Sequence, residues 1–359
     1  MLLTDLPTEI LHCLTLHIDN IETFINAAST CRRLHDVLHT TSSNTILRLA
    51  AASAPTFFSP HPHYLVAMAA SQAGRWALGD EHRTALLRKA LQGGIDGLYA
   101  FCLEKSGVSL HDIRRMFLSR FSIINPLSDK IDKMAGRQWY ETPDFWDGGV
   151  SEPVTLYTDA NRTAFQIIIY GELFGPSVYA FLEPERNLPF FDIQTRLDYI
   201  KHCVPQLHHS QTDHSQTGPF LDGEREEDDQ STLSHVLGCG RWRRMWGAAI
   251  KDLLCGGEGF PDVEVEDEYW RETLLRDAIQ CQGLEGMQLV TMSASQLDGK
   301  FLDKLKWIKQ RVDKLTGPPP SEILSVYSSE WSVSHVPDPM VETALCFSAW
   351  NREARHIHN

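Results

Sequence analysis

Most hydrophobic residues of this chain recur at spacings of three and four positions, which is the spacing of an amphipathic α-helix. A Ser, Asp or Asn precedes many of these segments, and a Gly or Pro follows them, as expected for capped helices with short turns. We therefore predict an all-α fold. Beyond the N-terminal region, the predicted helices cover residues 64–78, 81–91, 95–105, 109–121, 192–203, 233–255, 269–282, 284–292, 301–315 and 342–355.

One apolar run is ambiguous by its period alone. Residues 165–170 read FQIIIY, which fits either a buried helix or a short buried strand. Asp159 or Asn161 can cap a helix ahead of this run, so we favour a helix over residues 163–174. A separate helix is expected over residues 177–182.

The stretch from residue 3 to residue 38 contains three short helical patterns. Pro7 suits the first helical position of the first, and Glu9 lies in its first turn. Asp19, with Glu22 three residues later, is the expected cap of the second, and the third opens at residue 29 or 30. Their apolar positions are Ile10, Leu14 and Ile18, then Ile21, Phe24, Ile25 and Ala28, then Cys31, Leu34, Val37 and Leu38. Because units below roughly 40 residues seldom enclose a core unaided, apolar surface remains for the rest of the chain or for another protein.

In order and spacing these residues resemble the F-box, whose pattern is Leu-Pro-x-Glu-Ile-Leu, a Leu/Ile-rich middle and Cys-Arg-x-Leu. The resemblance covers about a tenth of the chain. It departs from the pattern at residues 21–23, where the family more often has a Leu-Leu pair. The matching residues are Leu6, Pro7, Glu9, Ile10 and Leu11, then Ile21, Phe24 and Ile25, then Cys31, Arg32 and Leu34.

The resemblance implies a function in ubiquitin ligation. F-box proteins bind a Skp-type adaptor, which attaches them to a cullin–RING ubiquitin ligase, and capture a substrate through their remaining sequence. Residues 124–140 and 165–175 also resemble the helical body of fungal-type F-box proteins, which implies no particular substrate. On this basis the chain is a non-catalytic, substrate-recruiting subunit without a cofactor. The adaptor-binding residues that the resemblance implies are Leu6, Pro7, Glu9, Ile10, Ile25, Cys31 and Leu34.

The pattern and composition predict four regions. An F-box domain over residues 1–50 precedes a helical body over residues 51–205, with an aromatic loop at 139–149. Residues 206–232 are dense in charge and poor in apolar residues, so they are predicted to be a disordered acidic linker. A C-terminal helical region follows over residues 233–359. No repeat period of a leucine-rich, propeller, kelch or ankyrin array accompanies them.

The net charge of −14 is concentrated in two segments. Residues 222–230 contribute −5 and residues 258–268 contribute −6, which argues against nucleic acid or an anionic membrane as the main partner. Eight scattered cysteines without a CxxC pair indicate free thiols in a reducing compartment. With no signal peptide and no apolar run near a spanning length of ~20 residues, we expect a soluble protein of the cytoplasm or nucleus.

Two clusters are candidates for substrate binding. The first is aromatic, and its alternative is a loop held over the core by its own rings, which we favour because aromatic side chains chiefly bury area. The second is basic and interleaved with Trp242 and Trp246; its favoured alternative is pairing with the acidic segments of the same chain. The aromatic candidates are Trp139, Tyr140, Phe145 and Trp146, and the basic candidates are Arg241, Arg243 and Arg244.

Other chemistry is less well supported by the sequence. Cys13, His17, Cys31 and His35 are the right residue types for zinc, but they fall inside the box pattern, where packing is the simpler role. No catalytic or metal-binding residue is predicted. Two alternatives to a ligase subunit remain: an F-box assembly protein that acts without cullin, and an unrecognised enzyme in the helical body.

Overall fold

The structure of the chain is a computed structural model that describes residues 6–53, 58–132, 157–204, 240–254 and 269–316. Of these residues 81% are helical and none lies in a strand, which confirms the all-α prediction. The linker predicted at 206–232, the loop at 139–149 and the helix at 342–355 lie outside the described residues.

The α-helices follow the predicted segments closely, with most bounds within two residues of the expected ones. They are α1 (Thr8–His12), α2 (Ile21–Thr30), α3 (Arg32–Leu38), α4 (Ser43–Ala52), α5 (His63–Ala77), α6 (Glu81–Gln92), α7 (Gly94–Lys105), α8 (Leu110–Ser119), α9 (Asn125–Asp132), α10 (Tyr157–Leu182), α11 (Ile193–Cys203), α12 (Gly240–Leu254), α13 (Tyr269–Gln280), α14 (Leu284–Thr291) and α15 (Gly299–Lys314). Short 3₁₀ turns occupy Cys13–Leu16, Pro184–Arg186 and Ala294–Gln296, and a π-turn occupies Arg120–Ile124.

Helix α10 is the centre of the body. It is one continuous helix, so the prediction of two helices over 163–174 and 177–182 is wrong, as is the strand alternative. Pro176 lies inside it, where a proline removes one backbone donor but does not end this helix. A helix that is apolar on all sides must be buried, and Ile168, Ile169 and Phe174 have no exposed surface.

Residues 160–182 of α10 are long and apolar enough to cross a membrane by length and composition. The expectation that no apolar stretch reaches a spanning length is therefore wrong. In the fold, 78% of the most apolar window of this helix is buried inside the chain. A buried core helix accounts for this composition, because a core can be as apolar as lipid.

Glycines let other segments approach α10 closely. A Cβ on Gly74 of α5 would lie 2.4 Å from the carbonyl oxygen of Leu173, and a Cβ on Gly171 would lie 2.4 Å from the backbone nitrogen of Gly283. Glu172 is half-buried and accepts a hydrogen bond of 3.0 Å from the backbone nitrogen of Leu284, at the start of α14. These contacts hold α5 and the start of α14 against the same short stretch of the central helix, residues 171–173.

Helix α4 joins the N-terminal helices to the body. It packs on both α2 and α7 and extends to Ala52, just past the predicted domain boundary at residue 50. The backbone nitrogen of Val108 donates to the carbonyl of Ser43 at 3.0 Å, and the backbone nitrogen of Ile21 donates to the Ser53 hydroxyl at 3.3 Å. The N-terminal helices are thus hydrogen-bonded to α4, and α4 is hydrogen-bonded to the body.

Candidate functional site

The candidate site is the surface of α1 to α3, which we call the box face. Its first helix begins one residue later than predicted: Pro7 is the N-cap, and its carbonyl accepts from the backbone nitrogens of Ile10 and Leu11, both at 3.1 Å. The helix ends at His12 and continues as the 3₁₀ turn Cys13–Leu16. That change of pitch breaks the predicted stripe of Ile10, Leu14 and Ile18, and Leu11 becomes the fully buried residue instead.

The caps of α2 and α3 also differ from the prediction. Asn20, and not Asp19, caps α2, because its side-chain oxygen accepts from the backbone nitrogen of Thr23 at 2.8 Å. Helix α2 then continues to Thr30, so α3 does not open at residue 29 or 30. Cys31, with an extended backbone, separates the two helices.

The seven residues assigned to adaptor binding fall into three groups by exposure. Pro7, Glu9, Ile10 and Ile25 are exposed; Ile10 keeps 51% of its surface and Ile25 keeps 41%. Leu6 and Cys31 are half-buried and pack against the core. Leu34 is only 5% exposed, so its side chain belongs to the packing of the N-terminal helices and offers almost no surface to a partner.

The most exposed apolar residue of the box face, Leu16, is not among the residues that the F-box resemblance assigns to adaptor binding. Leu16 keeps 68% of its surface at the end of the 3₁₀ turn. Its exposure depends on the 3₁₀ turn that replaces the predicted α-helical stripe, so the helical period of the sequence does not account for it. Ile10, Leu16 and Ile25 are three of the seven large apolar side chains that are exposed in the described part of the chain.

A shallow groove of about 500 Å³ lies between α1 and α3. Arg33 crosses from α3 and donates from Nη2 to the carbonyl of Leu6 at 2.7 Å, which holds the start of the chain against α3. The groove is more basic than acidic, and its lining residues are Thr8, His12, Arg32, Arg33, Asp36, Val37 and Thr40.

The geometry does not support the zinc site considered for Cys13, His17, Cys31 and His35. Cys13 is exposed and its Sγ contacts the carbonyl oxygen of Glu9 at 3.4 Å, while Cys31 is half-buried between helices. Within the described ranges, no group of three or more His, Cys, Asp or Glu side chains is placed to hold a metal ion.

The two predicted substrate-binding clusters are only partly described. Trp139, Tyr140, Phe145 and Trp146 lie outside the described residues, as do the side chains of Arg241 and Arg243. Arg244 is exposed on α12. Trp242 and Trp246 are 1% and 0% exposed with ring centroids 6.0 Å apart, so these two rings belong to the core and not to a recognition surface.

Comparisons with known proteins give no relative for this chain. No family model, no curated protein and no solved structure matches it.

Proposed function

We propose that this chain is the substrate-recruiting subunit of a Skp–cullin–F-box ubiquitin ligase and binds the Skp-type adaptor through its box face. The observation that supports this proposal is the exposure of Ile10 and Ile25, two aliphatic residues that the F-box resemblance assigns to the adaptor. Leu16, which the resemblance did not assign, adds a third exposed aliphatic side chain within the same 16-residue span.

The exposed aliphatic side chains of this face can contribute part of the binding energy of a complex. Full burial of an aliphatic side chain contributes about 1.5–3 kcal/mol, and Ile10, Leu16 and Ile25 have 51%, 68% and 41% of their surface left to bury. Pro7 and the half-buried Leu6 extend the face. In this scheme Leu34 acts indirectly, by holding α3 in position behind the groove.

Binding of the purified adaptor to the full chain tests the proposal. The double variant Ile10→Ser with Ile25→Ser is expected to weaken binding on the order of 100-fold, as loss of central apolar contacts does in other interfaces. Both residues are exposed, so the variant should keep the helical content and thermal midpoint of the wild type. Phe190→Ser is the matched control: Phe190 is exposed to a similar degree, 45%, but lies far along the chain between α10 and α11.

An unchanged dissociation constant for a folded double variant would contradict the adaptor assignment. A second measurement separates ligase function from assembly without ubiquitin transfer. The wild-type chain, bound to its adaptor, should join a purified cullin–RING complex in size-exclusion chromatography. A stable complex with the adaptor that never recruits cullin would instead favour the assembly protein.

A further inference from the structure

A second apolar surface lies on the body, far along the sequence from the box face. It consists of Phe117, Leu118 and Phe121, which keep 54%, 57% and 61% of their surface. The rings of Phe117 and Phe121 are in edge-to-face contact, with centroids 5.4 Å apart. We call these three residues, together with Arg114 and Arg115, the α8 face.

The direction of the α8 face is fixed by what the same helix buries. Ile113 and Met116 of α8 and Ile123 of the π-turn are 8%, 3% and 3% exposed and pack into the core. Residues three and four positions apart share a helix side, so positions 114, 118 and 121 lie together on the side away from Ile113 and Met116. Phe117 lies at the edge of that side and keeps 54% of its surface. The outward position of the aromatic pair therefore follows from the packing of the body.

The π-turn has an identifiable cause in the sequence. Pro126 lacks a backbone donor, and its ring disfavours the ordinary bond with the residue four positions before it. The chain responds by widening, and the backbone nitrogen of Asn125 donates to the carbonyl of Arg120, five positions back. Helices α8 and α9 continue through the π-turn, so Phe121 stays in contact with the ring of Phe117.

The α8 face is positively charged in a chain whose net charge is −14. Arg114 precedes Phe117 by three positions and Leu118 by four, so it shares a side of the helix with these apolar residues. Arg114 makes no ion pair with a carboxylate in the part of the chain that the structure describes. Arg115 is 66% exposed, and its contact with Asp112 is long, at 3.9 Å.

We propose that the α8 face captures the substrate of this ligase by binding an acidic peptide segment with apolar anchors. This proposal depends on the function proposed above, since it names the substrate class for that function. Apolar side chains of the segment would cover Phe117, Leu118 and Phe121. Carboxylates on the segment would pair with Arg114 and Arg115, because a guanidinium binds a carboxylate through two parallel hydrogen bonds.

Charge distinguishes this occupant from two others. A second copy that docked through the same face would bring Arg114 and Arg115 against their own equivalents, which is unfavourable. An anionic membrane would be repelled by the chain as a whole at a net charge of −14. An acidic peptide carries a charge opposite to that of Arg114 and Arg115. It is also short enough to bind the α8 face without contacting the acidic segments of the chain.

Three synthetic peptides of twelve residues, labelled for fluorescence anisotropy, test the proposal on the full chain. Each carries Phe and Leu at the same positions, and the remaining positions are Glu, Gln or Lys. We expect the Glu peptide to bind tightest and the Lys peptide weakest. Raising the salt concentration should weaken the Glu peptide most, because exposed charge pairs are screened.

Two double variants divide the face into its apolar and its charged parts. Phe117→Ser with Phe121→Ser should lower the affinity for the Glu and Gln peptides alike, on the order of tenfold or more. Arg114→Glu with Arg115→Glu should reverse the preference, so that the Lys peptide binds better than the Glu peptide. Phe190→Ser is again the control, and it should leave all three affinities unchanged.

Several results would overturn the proposal. One is equal affinity for the Glu and Lys peptides. Another is a peptide affinity that stays the same in the Phe117→Ser, Phe121→Ser double variant. Binding to vesicles rich in anionic lipid that Phe121→Ser abolishes would assign the face to a membrane, and a dimer lost in the same variant would assign it to a second copy. A tighter peptide complex after neutralisation of the six acids of residues 258–268 would assign it to the chain's own acidic segment.

The two proposals fail separately. The α8 variants should leave binding of the purified adaptor intact, and the double variant Ile10→Ser with Ile25→Ser should leave binding of the Glu peptide intact. One combined outcome separates the proposals: the α8 variants lose peptide binding, but the wild-type chain does not bind the adaptor. This outcome would support peptide binding by the α8 face and contradict the ligase function.

Discussion

The box face and the centre of the body differ in how much of their apolar side-chain surface is exposed. Along α10, Ile167, Ile168 and Tyr170 are all at or below 2% exposure. In the N-terminal helices, buried residues such as Leu11 and Phe24 alternate with exposed ones such as Ile10. The first arrangement uses apolar area to hold the fold, and the second leaves part of it available to a partner.

Helix length explains this difference. Helix α10 has 26 residues and packs against several helices of the body, so each of its sides has a neighbour. Helix α1 has five residues, and α3, with seven, is the α-helix it packs against most closely. A short helix with one main neighbour can bury only one side, because no second layer covers the other. The exposure of Ile10 on α1 is therefore a consequence of helix length.

The largest expected effect lies in the body centre. Phe174 is fully buried, and its ring centroid lies 4.9 Å from that of Tyr170 and 5.4 Å from that of Phe191. Phe174→Ala should lower the free energy of unfolding by about 3–5 kcal/mol, measured by chemical denaturation, because it leaves a cavity that rigid neighbours cannot fill. The matched variant Phe117→Ala, at an exposed ring, should change it by no more than about 0.5 kcal/mol. Equal losses of stability in Phe174→Ala and Phe117→Ala would contradict the assignment of Phe174 to the core and Phe117 to the surface.

The next effect separates the inside of the box from its face. Leu34→Ala should lower the free energy of unfolding by about 2–4 kcal/mol, since Leu34 is 5% exposed, whereas Ile25→Ala should change it by about 0.5 kcal/mol at most. Adaptor titrations then distinguish two causes of weaker binding. Leu34→Ala should reduce the fraction of competent chain and recover at lower temperature, while Ile25→Ala should reduce the affinity of the folded chain itself. The reverse pattern would place Leu34 in the interface.

The sequence was sufficient for elements whose bounds depend on local chemistry. The helix predicted over residues 109–121 opens at Ser109, which forms a capping box with Asp112: the backbone nitrogen of Asp112 donates to the Ser109 hydroxyl at 3.1 Å. The helix predicted over residues 192–203 is capped by Asp192, whose carboxylate accepts from the backbone nitrogen of Thr195 at 2.6 Å. Both signals involve residues three positions apart, so no knowledge of the tertiary fold is needed to read them.

The sequence was insufficient where tertiary packing sets the geometry. Pro176 normally marks a helix boundary, yet burial on all sides of α10 keeps the helix continuous through it. The exposure of Leu16 depends on the 3₁₀ turn after α1, and the exposure of Phe121 depends on which side of α8 the body covers. Caps can be read from a few neighbouring residues, whereas exposure is a property of the assembled layers.

The smallest expected effect is a loss of folding stability at acidic pH, and we expect it to arise from a buried histidine of the body. Burial, together with the positive charge of Arg162 and the nearby His61, lowers the pKa of His63 from 6.5 to about 3. The unfolded chain therefore binds a proton below pH 6.5 that the folded chain does not bind until about pH 3. The stability that neutral His63 contributes is complete above pH 6.5 and is lost as the pH falls, by about 1.4 kcal/mol per pH unit, or about 2 kcal/mol at pH 5.

The variant His63→Leu should flatten this part of the pH profile, measured as the free energy of unfolding between pH 7 and pH 5. Neither ring nitrogen of His63 has a hydrogen-bond partner within the described residues, so the apolar replacement breaks no such bond. His17→Leu is the matched control, because His17 is exposed on the N-terminal helices. The opposite result, in which His17→Leu flattens the pH profile and His63→Leu does not, would contradict this prediction. The loss of stability in acid would then arise in the N-terminal helices and not in the buried centre of the body.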